Sequence, residues 1–368
     1  MTKLKKHNNI FNENDFEILP LNQSETIPSV WYTSKEIFEF EQSGLFQEEW
    51  HLICHLSQLK NIGDFVLGEA AGNSVIVLKD NEEKIRAFYN VCRHRGGPLA
   101  MENGCANILQ CKYHGWTYTL EGMLRGIPRF DRVDLFDKKD YGLVKINVDI
   151  YEGLVFVNLS ETPKPLKVLL NGISERIKPN DLKKKNFHQR IVYDVKGNWK
   201  VYVDNYLEGY HVPFVHPELT NFLDYKEYVT EISENYSLQF SPIKKEKNYL
   251  KQEGGAYYYF LFPNIMLNIL PGRLQTNIVI PVDNKNCKVI FDFYYDDFKR
   301  EELTEIIKDD LDYSDKVQAE DIEICEKVQK GLESKAYDKG RFSVECEEGV
   351  YHFQCLLKKS HKKYISGN

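Results

Sequence analysis

The segment NWKVYVDNYLEGYHVPFVHP, residues 198–217, is the one around which the chain is organised. It places His211 and His216 five residues apart, with Glu208 three residues before the first histidine. Further along, VQAEDIEICEKVQKGL, residues 317–332, has the pattern of a helix that can supply a carboxylate. Two imidazoles and one carboxylate form the ligand set of a mononuclear non-haem Fe(II) site, which leaves coordination positions open for O2.

A second group of metal-binding residues lies upstream. Cys92 and His94 are followed, after sixteen residues, by Cys111 and His114. A zinc finger accepts the same four residues, but it normally pairs cysteine with cysteine and histidine with histidine along the sequence. Here each half, CRHRGGPLA and CKYHGWTY, carries one of each together with tight glycines. This distribution favours a Rieske [2Fe-2S] cluster, with both cysteines on one iron and both histidines on the other.

The composition sets limits on the class of protein. A chain of 368 residues with 13% aromatic residues has material for one to three globular domains. The net charge of −7 argues against nucleic acid as a partner. No apolar run reaches the 18 residues that a transmembrane helix needs, and no apolar signal segment follows the N-terminus. We therefore expect no membrane partner and a cytoplasmic location, with an organelle left open. Eight cysteines without a secretory signal are not expected to form disulfides.

Three regions are expected along the chain. Residues 1–45 form an N-terminal arm and helix that pack on the catalytic domain, residues 46–160 form a small all-β domain, and residues 161–368 form an α+β domain. One or two short helices are predicted over 34–53, where Ser34 is a candidate N-cap. Strands and helices are predicted elsewhere: strands over 64–67, 74–78, 85–89, 143–148, 153–158, 187–195, 256–261, 265–270, 274–281 and 288–295, and helices over 166–177, from 198 onward, and over 303–331 with an interruption near 312–314.

Two motifs resemble one known family. The pattern CxH…CxxHGW resembles the Rieske domain of oxygenase alpha subunits, the aromatic-ring-hydroxylating dioxygenase family. Gly97 and Trp116 stand beside the ligands, where Rieske proteins of bc complexes usually carry an extra cysteine in each loop. The histidine segment is similar to the mononuclear iron motif of the same family. The resemblance covers nearly the whole chain from about residue 45, and it implies an α+β fold: a small all-β Rieske [2Fe-2S] domain plus a helix-grip (START-like) catalytic domain with an antiparallel sheet.

The resemblance also implies the third iron ligand. The family places an aspartate on its C-terminal helix, and the segment AEDIEICEKVQKGL matches it at Asp321. Glu320 and Glu323 are neighbouring competitors, because a carboxylate on such a helix is usually only part of a solvated face. On the residues alone, the choice between the three stays open.

Glu208 departs from the family pattern. Many members carry an aspartate at this position, which connects the mononuclear site to a cluster histidine of the neighbouring subunit. A glutamate can accept the same imidazole hydrogen bond with a longer reach. Asp204 is the alternative bridge, and Asn205 is a candidate to shape the surroundings of the iron.

The resemblance implies that the protein is a mono- or dioxygenase that hydroxylates a small molecule with O2. Its electrons come from an NAD(P)H-dependent reductase or a ferredoxin, and it assembles as a homotrimer. Residues 262–282, 286–297 and 326–343 look like choline-monooxygenase-type relatives. A quaternary ammonium substrate such as choline, betaine or carnitine would be held over aromatic rings, for which the candidates are Tyr202, Tyr206, Tyr210, Phe214, Tyr257, Tyr258 and Tyr259.

Three other functions remain open. An aromatic-ring or aromatic-acid hydroxylase would stack its substrate on the same rings. An electron-transfer Rieske protein without oxygen chemistry would not need the 200 or so residues and the second metal motif that follow the cluster. A relative whose iron site has decayed is disfavoured by His211, His216 and Asp321, which are all present.

Overall fold

The structure is a computed structural model that describes residues 10–216, 227–243, 254–296 and 301–366, without the side chains of 301–302. Pro217, the last residue of the histidine segment, lies outside the described residues. Within the described part of the chain, no helix is long and apolar enough to cross a membrane.

The chain divides into two compact units. One consists of residues 46–168 with 182–184, and the other of residues 1–45, 169–181 and 185–368. The predicted domain limits of 1–45, 46–160 and 161–368 stay a prediction.

The first unit is built from short antiparallel strands. A seven-stranded sheet has the order β1-β10-β9-β4-β3-β2-β5, and a three-stranded sheet has the order β6-β7-β8. The strands are β1 (His51–His55), β2 (Asp64–Ala70), β3 (Asn73–Lys79), β4 (Ile85–Tyr89), β5 (Gly104–Cys105), β6 (Leu109–Gln110), β7 (Thr117–Tyr118), β8 (Leu124–Gly126), β9 (Lys145–Tyr151) and β10 (Leu154–Asn158). The predicted small all-β domain is thus confirmed as a fold.

Strand β3 explains why this sheet is stable. Successive side chains of a strand point to opposite faces, and β3 buries both faces over residues 75–78. Ile76 and Leu78 join the core cluster that contains Cys92 and Cys111. Val75 and Val77 join a second cluster on the other face. A strand with two apolar faces can only sit inside a sheet that is covered on both sides.

The helix prediction over 34–53 is correct at its start and wrong at its end. Ser34 caps α2 (Lys35–Ser43) by accepting the Ile37 amide, and α2 follows the short α1 (Val30–Thr33). After α3 (Leu45–Glu48) the chain becomes strand β1, because HLICH pairs with β10 in antiparallel register. The apolar run at residues 52–54 is compatible with a helix or a strand. It forms a strand because β10 is available to pair with it.

The second unit holds a seven-stranded antiparallel sheet in the order β11-β17-β16-β15-β14-β13-β12. Strands β12 and β13 were not predicted, whereas the other five match the prediction within a few residues. The strands are β11 (Asn186–Val195), β12 (Val229–Ile232), β13 (Tyr236–Ile243), β14 (Gly254–Leu261), β15 (Ile265–Leu270), β16 (Arg273–Pro281) and β17 (Cys287–Tyr295).

Helices complete this unit. The predicted helix over 166–177 is two short ones: α4 (Leu166–Leu169), which lies where the chain passes from the first unit to the second, and α5 (Ile173–Arg176). The segment after Asn198 forms α6 (Trp199–Tyr206) and α7 (Val212–Val215). The long helix, α8 (Glu301–Leu332), is continuous, so the interruption predicted near 312–314 is wrong. The final helix, α9 (Glu348–Ser366), was not predicted.

A buried charge cluster fixes α6 to α2 and α9. The side chains of Glu41 and Lys200 are both fully buried, and each Glu41 oxygen lies 2.8 Å from Lys200 Nζ. The indole N–H of Trp199 donates to the same carboxylate at 2.9 Å, and His361 Nε2 lies 3.2 Å away. Because buried charges are tolerated only when they are paired and hydrogen-bonded, this cluster defines how the three helices meet.

Candidate metal centres and cavity

Cys92 and Cys111 each begin a loop with the same hydrogen-bond pattern. In the first loop the Cys92 amide donates to Gly97 O at 2.8 Å, and the Gly96 amide donates to Cys92 O at 3.1 Å. In the second, the Cys111 amide donates to Trp116 O at 2.9 Å, and the Gly115 amide donates to Cys111 O at 3.0 Å. Gly96 and Gly115 have φ of +73° and +74°, a conformation that glycine adopts without strain. The repeated pattern therefore favours glycine four residues after each cysteine.

The four predicted cluster ligands converge in one place. The imidazole rings of His94 and His114 lie 4.7 Å apart, and a Cβ on Gly97 would stand 3.0 Å from Cys111 Sγ. Tyr118 OH lies 3.2 Å from Cys92 Sγ and accepts the Arg93 amide at 2.9 Å.

These donors fit a [2Fe-2S] cluster. His94 stacks on Trp116 at 4.7 Å, and its Nδ1 is buried with no hydrogen-bond partner among the described residues. Burial lowers the pKa of His94, which favours the neutral imidazole that binds metals. Two buried thiols and two neighbouring imidazoles, one of them with an unpartnered ring nitrogen, match the donor set that a Rieske cluster requires.

Three elements bring the second set of donors together. Asn198 caps α6 by accepting the Lys200 amide at 3.1 Å, so that the helix begins at Trp199. Helix α6 ends ahead of Gly209, and the short α7 then separates His211 from His216 by one turn. Asp321 projects from α8, which packs against both α6 and α7.

His211, His216 and Asp321 form a compact group whose candidate ligand atoms lie within 4.8 Å of one another. Asp321 Oδ1 lies 2.9 Å from His216 Nε2 and 3.7 Å from His211 Nε2. Asn205 Nδ2 donates to the same oxygen at 2.7 Å. Two imidazole nitrogens facing one carboxylate fit a non-haem iron site with open positions.

Each histidine uses its other nitrogen to contact a glutamate. His211 Nδ1 lies 2.7 Å from Glu208 Oε1, and His216 Nδ1 lies 2.6 Å from Glu320 Oε2. Burial alone would lower the pKa of His216, but the neighbouring Asp321 and Glu320 carboxylates raise it. Such outer carboxylates fix the tautomer and the orientation of a ligand histidine. The sequence analysis considered Glu320 only as an alternative iron ligand to Asp321. That Glu320 is next to Asp321 in the sequence was the one signal that could have indicated its contact with His216.

The remaining carboxylates lie away from this group. Glu323 forms an exposed ion pair with Lys327. Asp204 accepts the Tyr32 hydroxyl at 2.5 Å and lies 3.4 Å from Gln354 Nε2. Burial raises the pKa of Asp204 to about 7. Of the two predicted bridges, Glu208 is therefore the one that contacts a histidine of the group.

A cavity of about 170 Å³ adjoins the three donors. Its wall includes a row of four side chains that lie opposite one another on neighbouring strands: Gln239, Tyr258, Asn268 and Gln275. Helix α8 closes another side with Gln318 and Tyr313. Sequence reasoning missed this amide row, because opposite positions cannot be assigned before the strand register is known.

Of the seven candidate rings, three line the cavity: Tyr202, Tyr206 and Tyr258. Tyr210 and Phe214 are exposed, with 54% and 79% of their surface accessible. Tyr257 and Tyr259 are buried core residues, as alternation with Tyr258 along β14 requires. Three rings that sequence reasoning did not single out also line the cavity: Tyr228, Phe291 and Tyr313.

Arg273 is the only lysine or arginine among the described lining residues, and it is paired. Its Nε lies 2.7 Å from Asp310 Oδ2, and its Nη2 donates to Gln275 Oε1 at 2.6 Å and Ser314 Oγ at 2.8 Å. The lining also carries Glu208 and Asp321. Without metal, carboxylates thus exceed guanidinium groups in this wall.

Two family models match the chain. Residues 49–137 match the Rieske [2Fe-2S] domain, and residues 182–360 match the catalytic domain of the ring-hydroxylating alpha subunit. Choline monooxygenase, chloroplastic, from Arabidopsis thaliana is 35% identical over 94% of this chain and 85% of its own. The carnitine monooxygenase oxygenase subunit of Acinetobacter pittii is 32% identical over 92% of this chain and 95% of its own.

Solved structures agree with the sequence comparison. The quaternary ammonium Rieske monooxygenase CntA in complex with L-carnitine superimposes with a TM-score of 0.84 at 29% identity, covering 94% of this chain and 99% of that one. The predicted family, fold class and cofactors are confirmed. The chain belongs to the Rieske non-haem iron oxygenases, as an alpha subunit whose cofactors are a [2Fe-2S] cluster and a mononuclear iron.

Proposed function

We propose that this oxygenase hydroxylates a quaternary ammonium compound of the choline, betaine or carnitine type, acting as a monooxygenase. The observation that carries the proposal is the lining of the cavity beside His211, His216 and Asp321. Six aromatic rings line the space. Aromatic ring faces attract a trimethylammonium head, which cannot donate a hydrogen bond.

The relatives support the same class of substrate. Those of 29–35% identity include choline monooxygenase and carnitine monooxygenase subunits, and solved structures of CntA hold L-carnitine and γ-butyrobetaine. Structures of naphthalene 1,2-dioxygenase share only 18% identity, so their likeness concerns the fold alone. A row of carboxamides across the cavity wall also suits a polar substrate better than a flat hydrocarbon.

Each group of site residues has a proposed role. Cys92, His94, Cys111 and His114 hold the [2Fe-2S] cluster. His211, His216 and Asp321 hold the mononuclear iron, and Asn205 fixes the Asp321 carboxylate through its hydrogen bond at 2.7 Å. When bound, the cluster supplies electrons one at a time and the iron activates O2.

The polypeptide binds and orients the reactants. Glu208 and Glu320 hold the two imidazoles through Nδ1, so that both Nε2 atoms face the same space. The lining rings exclude water from the reacting carbon and hold the cationic head beside it. The balanced reaction inserts one oxygen atom into a C–H bond. The second oxygen leaves as water, with two electrons from the donor and two protons.

The proposal includes the partners. The electrons come from an NAD(P)H-dependent reductase or a ferredoxin, and Glu208 connects the mononuclear site to a cluster histidine of a neighbouring copy in a homotrimer. The expected location is the cytoplasm. Support for coupling between copies comes from a CntA structure described as giving insights into inter-subunit electron transfer. Light scattering on the metal-loaded protein tests the trimer, and a monomeric active enzyme contradicts it.

The substrate is tested by turnover under 18O2. The metal-loaded protein, supplied with electrons by a reductase and NADH, is given choline, glycine betaine, L-carnitine and a set of aromatic acids, and the products are analysed by mass spectrometry. One labelled oxygen in a quaternary ammonium product supports the proposal. Label found only in an aromatic product would replace it with the aromatic-acid hydroxylase.

A further inference from the structure

The side chain of Gln318 is an unusual feature of the cavity wall. Only 1% of its surface is accessible, and it lines the cavity. Its Oε1 accepts the Tyr202 hydroxyl at 2.6 Å, whereas its Nε2 is buried and has no hydrogen-bond partner among the described residues. A buried carboxamide that uses its acceptor and leaves its donor unsatisfied carries a free-energy cost, which a ligand can remove.

Tyr202 determines which end of the carboxamide keeps unused hydrogen-bonding capacity. A carboxamide offers an acceptor oxygen and a donor amino group, and a phenol hydroxyl that donates to the oxygen leaves the amino group for a ligand. Tyr202 is itself buried with 3% accessibility and lies on α6, which packs against α8. The orientation of Gln318 is thus set by the contact between these two helices.

The same arrangement recurs across the cavity at Asn268. The Tyr206 hydroxyl donates to Asn268 Oδ1 at 2.7 Å, so this carboxamide also directs its amino group away from its phenol. Arg273, the only described cation of the lysine or arginine type in the lining, is engaged by Asp310. Among the described carboxamides of the lining, Gln318 is thus the one whose amino group is buried and without a hydrogen-bond partner.

Gln318 lies one helical turn before Asp321 and therefore on the same face of α8. A substrate oxygen bound to Gln318 would hold the rest of the molecule next to the carboxylate of the proposed iron site. We propose that Gln318 is a specificity-determining residue, whose Tyr202-oriented amino group donates a hydrogen bond to an oxygen of the trimethylammonium substrate. This inference rests on the proposed function and adds a requirement, since the substrate must carry an acceptor oxygen as well as a quaternary head.

The test measures dissociation constants by calorimetry on the anaerobic, metal-loaded protein. The ligands are choline, which carries a hydroxyl, glycine betaine, which carries a carboxylate, and ethyltrimethylammonium, which carries neither. We expect the wild-type protein to bind at least one oxygen-bearing ligand about 5- to 20-fold more tightly than ethyltrimethylammonium, the ratio typical of one hydrogen bond. The ligand that shows the preference identifies the oxygen as hydroxyl or carboxylate.

Two variants assign the preference to Gln318. Gln318→Glu keeps the shape and the acceptor for Tyr202 but replaces the donor by a second acceptor, and Gln318→Met removes both. Each variant should reduce the preference for the oxygen-bearing ligand over ethyltrimethylammonium, measured as the ratio of their dissociation constants, to below about twofold. Gln329→Met is the control, because Gln329 is a buried glutamine of the same helix, with 3% accessibility, outside the cavity lining. It should keep the wild-type ratio even where it lowers stability.

The possible outcomes separate the two proposals. A wild-type protein that binds all three ligands without preference overturns the role of Gln318 and leaves the proposed function standing. Variants at Gln318 that keep the wild-type ratio also overturn it. Failure of the metal-loaded wild-type protein to bind any trimethylammonium ligand overturns the proposed function, and the inference with it. Should Gln318→Met not fold, Gln318→Glu alone decides.

Discussion

The buried pair of Glu41 and Lys200 offers a sharp test of how the histidine segment is held. Lys200→Met keeps the length of the side chain but removes two charge-assisted hydrogen bonds of 2.8 Å from a fully buried carboxylate. Removing one partner of a buried pair costs about 3–5 kcal/mol, because the remaining charge stays buried. For a unit of this size each kcal/mol lowers Tm by about 2–4 °C. We expect Lys200→Met to lower Tm by roughly 6–20 °C.

The matched control is a pair on the surface. Lys35 and Glu39 lie 3.6 Å apart with side-chain exposures of 74% and 61%, so Lys35→Met should change stability by less than about 0.5 kcal/mol. Calorimetric or circular-dichroism melting of both variants measures the difference. A Lys200→Met protein that melts within 2 °C of the Lys35→Met protein would refute the reasoning, since it would mean that the buried charges contribute nothing.

The same cluster predicts a pH dependence. Burial alone would raise the pKa of Glu41, but the Lys200 ammonium group and His361 lower it below its ordinary value. Because the folded-state pKa is the lower one, ionised Glu41 stabilises the fold above its unfolded pKa of about 4.3. That stabilisation is lost as the pH falls through the folded value. We expect Glu41→Gln to reduce the slope of Tm against pH below about pH 4.

Three further predictions concern the metal sites and a buried carboxyl group. Gly97→Ala should weaken retention of the cluster, because its Cβ would stand 3.0 Å from Cys111 Sγ. Loss of the visible absorbance measures this, and Gly331→Ala, with nothing within 4 Å, should keep it. His211→Ala should lose one iron per chain and keep the cluster iron, as elemental analysis will show; loss of all iron would contradict the assignment. Burial raises the pKa of Asp204 to about 7, so the stability that its neutral form provides is lost as the pH rises through 7. Asp204→Asn should remove that decline, by at most about 4 kcal/mol at pH 8, and an unchanged Tm–pH profile would show that Asp204 ionises normally.

Much of the fold and of the candidate site could be predicted from short, local sequence patterns. The loops of the cluster could be predicted because each cysteine is followed, four residues later, by a glycine, which adopts a positive φ without strain. Helix α6 could be predicted because Trp199, Val203 and Leu207 recur on one face, where all three are buried. Such features depend on a few neighbouring residues.

Other features depend on partners that are distant in sequence. Residues 51–55 form a strand because β10 is available to pair with them, and helix α9 forms because Phe353, Leu357 and His361 are buried against other elements. The roles of Glu320 and Gln318 follow from where α8 meets α6 and α7. A charged or polar residue on a helix gives no local sign that its partner lies about one hundred residues earlier in the chain, as with Glu320 and His216.

Asp321, with His211 and His216, is proposed to hold the iron at which electrons from the cluster are used. This proposal is tested by a single turnover of anaerobically reduced protein mixed with a quaternary ammonium substrate and 18O2, following cluster absorbance and labelled product together. We expect the wild-type cluster to be reoxidised as labelled product forms, whereas Asp321→Ala should keep a reduced cluster and form no product. An Asp321→Ala protein that retains its mononuclear iron and forms labelled product at the wild-type rate would contradict the proposal.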